Sequence, residues 1–140
     1  MTIPLRTRFL RSVLGVSMLS GERLLIVEEA FLIALEIQRI VEDANAQQTV
    51  FARNFDEVAA LADRLNEFDL AIVTPPRPGT SDQVVFDKMV RTGLAVVVCS
   101  AVPERIARNE FTQGEFVGKP FTEEELLAAC RRALARRQAG

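Results

Sequence analysis

After Gly21 the chain alternates between short β-branched runs and longer stretches with helical spacing. Arg23 to Val27 reads as a buried strand, and Leu32, Leu35, Ile37 and Ile40 recur periodically over a helix from about Phe31 to Asp43. Gln48 to Ala52 reads as a second strand. Asn54, with Glu57 three residues on, has the spacing of a capping box, and Val58, Leu61, Ala62 and Leu65 form the apolar stripe of the helix it opens. Asp69 to Val73 is a third strand, ended by a loop containing Pro75, Pro76, Pro78 and Gly79. Thr80 and Gln83 suggest another capping box, for a helix reaching about Thr92.

Ala95-Val-Val-Val-Cys99 lacks any polar residue, the mark of a parallel strand covered on both faces. A short polar helix is expected near Glu104 to Asn109, then a last strand from Glu115 to Gly118. Thr122 and Glu125 cap a final helix with acids at its start and Arg131, Arg132, Arg136 and Arg137 near its end, an arrangement that suits the helix dipole. Five strands alternating with five helices predict a doubly wound, three-layer α/β sandwich over residues 21–140. In such folds the site lies at the carboxyl ends of the strands. This singles out Glu28, Glu29, Thr74, Ser100 and Lys119.

Residues 1–20 stand apart. They carry Arg6, Arg8 and Arg11, no acid, and apolar residues at Leu5, Phe9, Leu10, Val13, Leu14 and Val16. Three readings remain open: a basic amphipathic helix that docks on a partner or an anionic lipid, an extension that packs loosely or is disordered, or a translation start at Met18. Arg11 and Ser12 break the apolar stretch and argue against a signal peptide.

Composition narrows the chemistry. Histidine is absent, which removes the usual general base, the Ser-His and Cys-His pairs, and the commonest metal ligand. No nucleophile–base pair is visible, so the chain is not expected to be an enzyme. A net charge of −2 gives no electrostatic case for binding nucleic acid or a membrane surface. No apolar run approaches the roughly 20 residues of a membrane span. Cys99 and Cys130 lie in apolar surroundings and read as reduced core residues of a cytoplasmic protein rather than a disulfide or metal site.

At the strand ends the sequence is similar to the receiver domains of two-component response regulators. Leu24-Leu-Ile-Val-Glu28-Glu29 resembles their first strand and acidic pair. Phe68 to Thr74 looks like the third strand, whose last residue in that family is the phosphorylated Asp. Val96 to Ala101 resembles the fourth strand, with Ser100 at the position of the switch hydroxyl. Phe116-Val-Gly-Lys119-Pro120-Phe121 resembles the fifth, with Phe116 as aromatic switch residue and Lys119-Pro120 as the phosphate-binding lysine and its proline. The resemblance covers about Glu22 to Ala135. Lys119, one of two lysines in the chain, belongs to its most specific part.

The resemblance implies a flavodoxin-like sheet of order 2-1-3-4-5. It also implies a chemistry in which a carboxylate takes a phosphoryl group from a kinase phosphohistidine, with Mg²⁺ held by acidic groups. Here Thr74 stands at the phosphoacceptor position. Its hydroxyl is neutral at pH 7 and no histidine exists to activate it. Glu29 is longer than the usual Asp and crowds an octahedral cation. The expectation is a pseudo-receiver with no phosphorylation on this site, weak or no metal binding, and no cofactor.

Without a phosphate, Lys119 is expected either to pair with Glu28 or Glu29 or to bind a ligand. The two glutamates have a second reading as caps on the following helix. Ser100 reads equally as a hydrogen-bonded strand end and Phe116 as core. The stretch from Ala101 to Gln113, polar and with Pro103 early, departs from the family pattern. With the chain read as ending at Gly140, output is expected through a protein partner: a histidine kinase, a regulator or a second copy. The Thr112–Arg137 face is the expected contact surface. The alternative is a sensor of a small anionic or phosphorylated ligand held by Lys119, Ser100, Thr74 and the 74–79 loop.

Overall fold

The computed structural model describes residues 19–101 and 114–139. The elements run β1 (Arg23–Val27), α1 (Phe31–Asp43), β2 (Gln48–Ala52), α2 (Phe55–Ala59), a 3₁₀ helix (Ala62–Glu67), β3 (Leu70–Val73), α3 (Ser81–Arg91), β4 (Ala95–Ser100), β5 (Glu115–Gly118) and α4 (Glu123–Ala139). The expected helix near Glu104 to Asn109 lies outside the described residues.

All five strands are parallel in the order β2-β1-β3-β4-β5, so the flavodoxin-like expectation holds. Alternate strand residues face opposite ways and define two cores. On one face Leu24, Ile26, Ile72, Val97 and Cys99 pack under α1 and α4. On the other, Leu25, Val27, Val73, Val96 and Val98 pack under α2 and α3, where Phe55 and Phe86 meet edge to face with ring centroids 6.5 Å apart. Leu19 is fully buried and Ser20 bridges Ala46. The folded domain therefore includes the last two residues assigned to the extension.

Two helical expectations need correction. In α1 the buried stripe is Ala34, Ile37, Ile40 and Val41. Leu32 and Leu35 turn outward, because their positions lie on the opposite side of the helix from Ile37. The helix opened by Asn54 is not continuous: α2 ends at Ala59, and tight turns from Leu61 to Val58 and from Arg64 to Leu61 lead into the 3₁₀ segment. The tightening to three residues per turn brings Leu65 and Phe68 into the same core as Val58.

The caps are largely those expected. Asn54 Oδ1 accepts from Glu57 N at 3.0 Å, and Thr122 Oγ1 from Glu125 N at 3.1 Å. Thr80 caps α3 through Asp82 N, but Gln83 does not close the box; its amide donates to Asp87 instead.

Both cysteines are buried thiols in the α1–α4 layer. Burial pushes Cys99 up to about 12 and raises Cys130 as well. At the amino ends of the strands, Asp69 accepts from Arg23 N at 2.8 Å and from Arg137 Nη1 at 3.3 Å, joining β1, the start of β3 and the last helix.

Candidate functional site at the carboxyl ends of the strands

Glu28 directly follows β1. Its backbone N–H donates to Ala52 O at 3.1 Å, and its side chain is almost wholly buried. Its two carboxylate oxygens have separate partners. Lys119 Nζ donates to Oε1 at 2.6 Å, and Ala30 N donates to Oε2 at 3.1 Å. Glu28 thus holds the backbone N–H of Ala30, the residue before α1, and also neutralises Lys119. Lys119 follows β5 and is positioned by its own N–H, which donates to Ser100 O at 2.9 Å.

Glu29 is exposed, and Lys119 does not pair with it. Thr74 follows β3, half-buried, with its N–H donating to Val27 O at 2.9 Å. Ser100 is buried at the end of β4, opposite Gly118 in the ladder. Phe116 is buried with the α2–α3 core, as Leu25 and Val73 are. Pro120 follows Lys119 through a cis peptide bond.

A cavity of about 310 Å³ opens beside Thr74, lined among others by Glu29, Arg53, Asp56, Arg77 and Asp82. Asp82 is buried and holds the β3–α3 loop by accepting from Arg77 N at 3.2 Å and Arg77 Nε at 3.0 Å. The Arg77 guanidinium keeps the Asp82 carboxyl below the usual carboxylate range against the opposing effect of burial. Arg53, Arg77 and Asp82 were not singled out in the sequence. The signal available was their position: Arg53 directly follows β2 and Arg77 lies in the loop after β3, both at the strand ends where such folds place their sites.

The residues present do not fit the divalent cation that the fold family implies. Both Glu28 oxygens are engaged, one by an ammonium group, and Thr74 after β3 offers a neutral hydroxyl rather than a carboxylate. No group of three or more His, Cys, Asp or Glu that could hold a metal ion occurs among the described residues. Nor, among them, is any helix long and apolar enough to cross a membrane.

No family model matches the sequence, and no curated protein matches it. Solved structures do resemble the fold. The response regulator PhyR from Brucella abortus is 26% identical with a TM-score of 0.71; the match covers 94% of this chain and 56% of that one. A CheY-like response regulator receiver domain protein from Methanospirillum hungatei JF-1 is 18% identical, with a TM-score of 0.69 and coverage of 86% and 98%. The signal receiver domain of an HD domain-containing protein from Pseudomonas fluorescens Pf-5 is 22% identical, with a TM-score of 0.68 and coverage of 85% and 90%. The chain has the receiver-domain fold. It spans little more than half the length of the Brucella protein.

Proposed function

We propose that this chain is a pseudo-receiver, a signalling module that works by protein–protein contact without accepting a phosphoryl group at position 74. The observation that carries the reading is the buried Lys119–Glu28 ion pair at 2.6 Å, together with a threonine directly after β3. The lysine that a phosphoryl group would recruit already has a buried anionic partner, and the Thr74 hydroxyl is not an activated nucleophile. Thr74, Ser100 and Phe116 are then fixed structural positions rather than parts of a switch.

The test is incubation with acetyl phosphate and Mg²⁺, followed by intact mass, for the natural chain and for Thr74→Asp. The expected result is an unmodified natural chain. A labile phosphate on the natural chain overturns the reading and points to another acid as acceptor.

One observation favours the alternative of a small anionic ligand: Arg53 and Arg77 line the cavity beside Thr74. Glu29, Asp56 and Asp82 line it too and oppose an anion. A thermal-shift screen of phosphorylated metabolites separates the two readings, because a ligand that prefers the folded state raises the melting temperature.

A further inference from the structure

β2 forms one edge of the sheet and, among the described residues, pairs only with β1. Glu28 N donates to Ala52 O, so the alternation along a parallel ladder turns the N–H and C=O groups of Gln48, Val50 and Ala52 toward β1. Those of Thr49 and Phe51 point outward. This open row is closed at both ends: Gln47 N donates to Glu22 O at 2.8 Å, and Arg53 N donates to Glu57 Oε1 at 2.7 Å. Sheet edges are usually blunted by charge or proline. Gln47 to Ala52 carries neither, and Phe51 is 42% exposed.

An open row of two residues is complementary to itself. In an antiparallel approach of a second copy about a two-fold axis at Val50, Thr49 meets the partner's Phe51 and Phe51 meets the partner's Thr49. Both are hydrogen-bonded pairs, so every outward N–H and C=O of the two rows is used. A slip of two residues in either direction sets Arg53 or Gln47 opposite the row instead, and their N–H groups are already taken. The side chains agree. Phe51 beside the partner's Thr49 is an aromatic–β-branched pair, and Val50 faces its own copy across the axis with Cα atoms roughly 4.5 Å apart. No charge in Gln47 to Ala52 opposes itself, as a charge near a two-fold axis must. Gln38 Nε2 donates to Thr49 Oγ1 at 3.3 Å, so the side of α1 that carries Gln38 overhangs this edge. Phe31 and Leu35, exposed by 71% and 40%, share that side.

We propose that two copies of this chain join through their β2 strands, antiparallel and centred on Val50, so that the two five-stranded sheets become one. The surface is separate from the Thr112–Arg137 face. The proposal does not rest on the reading of position 74: no phosphodonor enters its test, and its failure leaves that reading where it stands.

Sedimentation velocity over a dilution series compares the full natural chain with Thr49→Pro. Proline removes an outward N–H that the sheet does not use, a change an edge strand tolerates. The expected result is a dimer of the natural chain that dissociates on dilution, and a Thr49→Pro monomer with an unchanged far-UV circular dichroism spectrum. The register is read by treating Val50→Cys and Gln48→Cys with copper phenanthroline. Val50→Cys is expected to give a disulfide-linked dimer, because the two introduced thiols face each other across the axis. Gln48→Cys is expected to stay unlinked, because it lies opposite the partner's Ala52. A natural chain that remains monomeric up to its solubility limit overturns the proposal. So does a Thr49→Pro protein that folds and still dimerises, or a Gln48→Cys protein that cross-links as readily as Val50→Cys. If Thr49→Pro does not fold, Phe51→Lys takes its place, with the same monomer expected and a persistent dimer again overturning the proposal.

Discussion

Lys119 Nζ lies 2.6 Å from Glu28 Oε1, joining the loop after β5 to the loop after β1. The two side chains are 20% and 6% exposed, so each charge depends on the other for most of the solvation it has lost. Removing one partner strands a buried charge. Lys119→Met is expected to destabilise the fold by about 3 kcal/mol. The double variant Glu28→Gln with Lys119→Met is expected to cost clearly less than the sum of the single changes. Urea denaturation of the four proteins measures the coupling, and strict additivity contradicts it.

Acid sensitivity is expected from carboxylates held below their ordinary values. Burial pushes Asp69 up, but hydrogen bonds from Arg23 and Arg137 outweigh it, and the net direction from 3.8 is downward. Asp82 is lowered by its hydrogen bond to Arg77. A depressed folded pKa contributes stability above the unfolded value, and that contribution is lost as the pH falls through the folded one. The loss therefore lies below 3.8 for both groups. Glu22 has the opposite sign: burial and the nearby Asp69 raise it, so protonating it relieves a small cost. The urea midpoint of Asp69→Asn is expected to fall less steeply in acid than that of the natural chain; parallel curves would refute the assignment.

Thr80 makes two bonds at once, accepting from Asp82 N at 3.2 Å and donating to Arg77 O at 2.7 Å. Thr80→Ala is expected to cost about 1 kcal/mol, the usual worth of an N-cap. Because Arg77 and Asp82 line the cavity beside Thr74, amide exchange is also expected to quicken in the β3–α3 loop. Unchanged exchange at Arg77 would show that the cap acts on α3 alone.

Gly114 precedes β5 with φ of +101°, and a Cβ there would meet Val96 O at 3.0 Å. Gly114→Ala faces both an unfavourable backbone angle and a contact with backbone of a central strand. A loss of about 1–3 kcal/mol is expected. Gly21→Ala is the control, since it shares a positive φ but has open space around its Cβ. Equal losses at the two positions would assign the whole effect to φ.

The sheet was legible because its strands are short β-branched runs between turn residues; Ala95–Cys99, apolar throughout, has the pattern of a strand covered on both faces. The lining of the site was legible only in part. Glu28, Thr74, Ser100 and Lys119 follow directly from the strand ends. The choice of Glu28 over Glu29 as partner for Lys119 depends on which of two adjacent side chains turns inward, and nothing in the pair Glu-Glu decides that. Periodicity misjudged Leu32 and Leu35 because α1 carries apolar residues on two sides, and the pattern alone does not say which side meets the sheet. The break after Ala59 was hidden because stripes at three- and four-residue spacing suit either a continuous helix or a 3₁₀ turn.

The enclosure of Cys99 and Cys130 has a practical consequence. Thiolates, not thiols, react with alkylating reagents, and both groups are kept protonated far above neutral pH. Toward a maleimide Cys99 and Cys130 are expected to stay unreactive in the folded protein, which thiol labelling with and without urea checks. A dye or spin label can therefore be attached at one introduced surface cysteine while the natural pair stays in place.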